Sequence, residues 1–97
     1  MLIRTKRVQN NASGRVGCQF YSRYTGSIYY ASVEQGAIVL RDWAGTEKAR
    51  DGGVTLVPLD LSADFASPGQ VAVTVAGFEP NTNDSGIDTY VLTLNEG

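Results

Sequence analysis

The chain has 97 residues, 42% hydrophobic and 19% charged, with 11 glycines and 3 prolines, which is the size and composition of one folded domain with a single core. No apolar run approaches the ~20 residues that span a membrane, and the absence of histidine excludes His-dependent triads and dyads together with the nitrogen ligands zinc usually takes. A net charge of −2 and a pI of about 4.9 fit poorly with a general nucleic-acid binder, which is usually basic.

Taken in chain order, short runs of Val, Ile, Thr and Tyr alternate with Gly, Asn, Asp and Ser clusters, the pattern of an all-β, single-domain antiparallel β-sandwich or small barrel. About seven strands are predicted, over residues 2–8, 15–21, 27–33, 36–41, 54–61, 70–78 and 87–94. In the first, Arg4 and Lys6 share a face with Leu2 and Val8, so residues 1–8 read either as the first strand of the domain or as a basic arm that adds to a partner's sheet edge. In the second, Val16, Cys18 and Phe20 alternate with Gln19 and Tyr21, so one aromatic of this pair points inward and the other outward. The Gly-bearing links at 24–27 and 34–36 are hairpin turns and imply antiparallel neighbours. A long loop comes next, over 42–53, within which Thr46–Arg50 can form one helical turn capped by Thr46. In the sixth strand Val71, Val73 and Val75 share a face opposite Ala72, Thr74 and Ala76. The last strand sets Tyr90, Leu92 and Leu94 against Thr89, Val91 and Thr93.

The inventory of reactive groups argues against an enzyme. Cys18, the single cysteine, cannot form an internal disulfide and reads as a small core residue in a reducing compartment. Asp60 and Asp64 are a weak acid/base pair, since a glycosidase also needs a carbohydrate cleft. The segment 81–86 echoes half of a calcium loop, but its twelfth position would be Leu92 instead of a bidentate Glu, so an Asx-rich hairpin loop is the better reading. No phosphate-cradling glycine motif is present. Neither a cofactor nor a metal is expected.

Charge and aromatic rings carry the stronger signal. Residues 1–33 hold five basic groups, Arg4, Lys6, Arg7, Arg15 and Arg23, and no acid, whereas the rest of the chain nets −7. Such asymmetry serves a polyanion, complementary faces for self-assembly, or neutralisation of early strands by late ones within the monomer. The basic region also contains Phe20, Tyr21, Tyr24, Tyr29 and Tyr30, a mixture that suits single-stranded bases or a protein interface. Trp43, the only tryptophan, opens the long loop. A large aromatic there more often plugs the end of a sandwich, yet the loop's charges also allow it to anchor a partner.

With its Met1-Leu2-Ile3-Arg4-Thr5 start, Gly-rich strand pattern, lack of catalytic residues and Leu92-Thr93-Leu94-Asn95-Glu96-Gly97 ending, the chain resembles the small all-β accessory proteins of bacteriophage virions. These are capsid cement or decoration proteins and head–tail connector pieces. The resemblance implies a non-enzymatic homo-oligomer that clamps capsid or other virion subunits, made in the host cytoplasm and then carried in the virion, away from membranes. The residues expected to meet a protein partner are Arg4, Lys6, Arg7, Arg23, Tyr24 and Trp43. The alternatives are an inhibitor or adaptor that binds a host protein, and a barrel that binds single-stranded nucleic acid.

Overall fold

A computed structural model describes residues 16–97. The predicted strand at 2–8, with Arg4, Lys6 and Arg7, lies outside the described residues. Seven strands are present among those described: β1 (Val16–Tyr21), β2 (Ile28–Glu34), β3 (Ala37–Asp42), β4 (Glu47–Asp51), β5 (Val57–Ser67), β6 (Gln70–Phe78) and β7 (Ser85–Thr93). They form two antiparallel sheets, of order β1-β2-β3-β4 and β5-β6-β7. The all-β antiparallel sandwich is therefore the architecture. No described helix is long and apolar enough to cross a membrane.

The alternation read from the sequence decides which faces meet. Cys18, Phe20, Ala31, Ile38 and Leu40 of the four-stranded sheet are buried against Leu61, Phe65, Val71, Val73, Val75 and Leu92 of the three-stranded sheet, with Leu94 closing the core just past β7. Each of the three β6 valines is fully buried, worth roughly 1.5–3 kcal/mol apiece by transfer. Cys18 is a core residue, and its sulfur meets the Ala63 backbone amide where β1 runs beside β5. Burial is the largest influence on its thiol and, with a smaller push from Asp60, lifts the pKa to about 11 against the pull of that amide.

Turn chemistry fixes the register. Gln35 and Gly36, with φ of 53° and 77°, form the two-residue β2–β3 link whose positive φ values match the twist of a tight hairpin. A bulge between Pro58 and Asp60 interrupts the β5–β6 ladder, and there β5 passes so close to β6 that a side chain on Gly77 would strike the Val57 carbonyl.

Three sequence expectations are corrected. The stretch Thr46–Arg50 is no helical turn: β4 pairs with β3, Ala49 opposite Leu40 and Asp51 opposite Ile38. Its charged residues offer no apolar alternation to read, and the strand is held by backbone pairing at a sheet edge. The loop expected over 42–53 is consequently a short turn that leads into a strand. β5 begins three residues later than expected and continues to Ser67, because Ala63 and Phe65 extend the inward-facing row beyond Leu61.

Candidate binding site at the hairpin end

β1 and β3 run toward the same end of the sandwich, so the β1–β2 and β3–β4 turns lie side by side there. They bring Arg23 and Tyr24 on the first turn to the same end as Trp43 on the second.

The first turn is knotted by hydroxyls. Ser22 is fully buried, and its Oγ accepts the N–H groups of Tyr24 and Thr25 at 3.1 and 3.2 Å. The same hydroxyl donates to Glu96 at 2.7 Å. Glu96 gathers two further hydroxyls, Thr25 at 2.8 Å and Tyr29 at 2.6 Å, so the segment after β7 is lashed across the β1–β2 turn. Desolvation, the largest single influence on Glu96, raises its pKa, but the three donating hydroxyls together outweigh it and hold the carboxyl below its ordinary value. Tyr29 shows the reciprocal effect: burial first, then the Glu96 carboxylate, push its phenol up to about 12.

Arg23 and Tyr24 are occupied within the domain. The Tyr24 ring meets Phe65 edge-on with centroids 6.0 Å apart, and the Arg23 guanidinium lies over that ring at 5.0 Å. Arg23 also donates to the Phe65 carbonyl at 2.9 Å and stands 3.7 Å from Asp64. This contact joins the basic early region to the acidic later one, as internal neutralisation requires. Phe65 in turn packs on Phe20 and Tyr29 at 5.8 and 5.9 Å. That aromatic cluster closes this end of the core.

Trp43 is therefore not the plug. It is 75% exposed, and the expectation that it closes the sandwich is overturned because the Phe65 cluster already fills that position. Its turn is nonetheless well defined: Asp42 Oδ1 accepts the Thr46 N–H at 2.9 Å, the Asp42 carbonyl accepts the Gly45 N–H at 2.9 Å, and Gly45 adopts φ 92°. Beside the indole opens a cleft of about 550 Å³ lined by Ile28, Tyr29, Asp42, Lys48 and Glu96 among others. Sequence reasoning misses Glu96, Asp42, Lys48 and Ile28 as site residues. The one hint in the sequence is the hydroxyl-rich turn around Ser22, Thr25 and Ser27, which needs an acceptor from elsewhere.

Asp60 and Asp64, the carboxylates considered for catalysis, alternate with buried Leu61 and Phe65 on β5, and four residues along a strand space their backbones ~13 Å apart, wider than the ~5–9.5 Å between the carboxyls of a glycosidase pair. Elsewhere, Ile87 and Val91 are 72% and 60% exposed on the outer face of the three-stranded sheet, opposite Ala76 and Ala72. They form a second, flatter apolar strip.

Comparison with protein families, with curated proteins and with solved structures finds no match to this chain.

Proposed function

We propose that this chain is a non-enzymatic binding protein that engages a protein partner through its hairpin end, with Trp43 as the anchor. The observation that carries this reading is the indole of Trp43, the most exposed aromatic side chain among the described residues, set on a hydrogen-bonded turn beside a cleft. A large aromatic on a preformed turn supplies much of the contact area an interface needs. The finer proposal is a small virion protein that oligomerises and stabilises a capsid or connector. It is supported by the resemblance drawn from the sequence, by the second apolar strip at Ile87 and Val91, and by the opposed charges of the early and later chain. Nucleic acid is less well served: the chain carries a net charge of −2, whereas a nucleic-acid binder is usually basic.

The test is sedimentation of the full chain and of Trp43→Ala at low and high salt. Self-association that salt weakens and Trp43→Ala reduces, with an unchanged melting temperature, is the expected outcome. A monomer under all conditions, or tight binding of single-stranded DNA at physiological salt, would count against the proposal.

A further inference from the structure

The cleft beside Trp43 has a chemistry more specific than that of an apolar anchor. Two carboxylates, Asp42 and Glu96, line it together with the indole, against a single ammonium, Lys48. Both acids are positioned before any ligand arrives. Glu96 is fixed by the hydroxyls of Ser22, Thr25 and Tyr29, and Asp42 by the Thr46 N–H. Three donors leave a carboxylate with about one of its four acceptor positions open. The indole presents a face whose quadrupole attracts a cation, and a planar guanidinium can stack on that face while its edge donates to a carboxylate. Within the lining itself the two carboxylates outnumber the single ammonium, a local balance that favours positive charge.

Resting on the reading of the hairpin end as the binding surface, we propose that the cleft formed by Trp43, Asp42 and Glu96 receives an arginine side chain presented by the protein partner. The guanidinium stacks on Trp43 and donates to the carboxylates, and Lys48 is the group it must push aside. The arrangement favours arginine over lysine, because a compact ammonium cannot stack and donate sideways together.

Trp43 is the only tryptophan, so its fluorescence and its indole N–H resonance report on the cleft directly. The probe is a capped Gly-Arg-Gly-Arg-Gly peptide titrated into the full chain, beside the same peptide carrying citrulline, which keeps the shape of arginine without its charge. The arginine peptide is expected to shift the indole signal saturably, with the citrulline peptide weaker by about tenfold or more. Asp42→Asn preserves the acceptor to Thr46 and removes the charge, and is expected to weaken binding by about three- to tenfold, whereas Lys48→Met should tighten it by about twofold to fivefold. Equal binding of the citrulline peptide, no tightening in Lys48→Met, or an indole response to a neutral disaccharide with none to the arginine peptide would each overturn the proposal. If assembly depends on Trp43 but the arginine peptide does not bind, the anchor reading stands and this inference falls. If the peptide binds while Trp43→Ala assembles normally, the reverse holds.

Discussion

Two hairpin tips stand side by side at one end of this molecule, each bearing an aromatic, and they differ in what lies beneath. Under Tyr24 is Phe65, a fully buried core ring that meets it edge-on, and the Arg23 guanidinium lies over the Tyr24 ring. Under Trp43 is a cleft. The first aromatic is 44% exposed and the second 75%, and this difference has no counterpart in their local sequences. A tip aromatic becomes structural when the core sends a ring to it, and stays available when the core does not.

The comparison is broken most forcefully from below. Phe65→Ala should destabilise the domain by about 3–5 kcal/mol, the usual range for a large buried ring, as read by urea denaturation. It should also release Tyr24 into a state like that of Trp43. A loss under about 1 kcal/mol would show that the aromatic cluster is not the plug at this end.

Next in size is an alkaline effect. Cys18 and Tyr29 both have folded-state pKa values raised above the ordinary 9.0 and 10.0, to about 11 and 12. The folded state therefore retains protons that the unfolded chain releases. Stability is fully present below pH 9 and declines as pH rises toward those values, by about 2–3 kcal/mol for the buried thiol alone. Denaturation between pH 8 and 11 should show this fall, and Cys18→Ala should flatten its first part; a flat wild-type profile would contradict the burial argument.

The Glu96 clasp has the opposite sign. Its folded pKa is lowered, so its contribution is present above the unfolded value, about 4.3, and disappears as pH falls through the folded one. Glu96→Gln should lower the melting temperature at neutral pH and converge with wild type in acid. A constant gap across pH would mean that shape, and not charge, holds the tail.

The smallest effects separate the two tips themselves. Tyr24→Ala should cost about 1 kcal/mol through its edge contact and cation–π pair, while Trp43→Ala should stay within about 0.5 kcal/mol. Thermal melts of the two variants side by side decide it: equal losses would erase the distinction between a docked and a free aromatic.

Legibility in the sequence has the same physical basis. Strict alternation reveals β6 and β7, because each buries one face and leaves the other outside, and it places Cys18 and Phe20 inward. β4 stays hidden: Glu47, Lys48 and Arg50 carry charge at a sheet edge, where backbone pairing holds the strand without an apolar row. The site is half legible. Arg23, Tyr24 and Trp43 stand out as aromatic and basic residues, but whether each faces a partner depends on Phe65, 42 residues beyond Arg23, and on Glu96 near the end of the chain. Contacts at such separation leave no local pattern.

The thiol at the β1–β5 boundary gives the fold an internal clock. Cys18 is 4% exposed and held protonated, so a thiol-specific reagent can react with it only while β1 is swung away from β5. The labelling rate at neutral pH thus measures how often the two sheets part along that boundary. Compared with the rate in denaturant, it yields the free energy of that opening separately from global unfolding. The boundary is bridged by Ala63 and tied at one end by Arg23, so Arg23→Ala should quicken the clock even where it leaves the overall melting temperature almost unmoved.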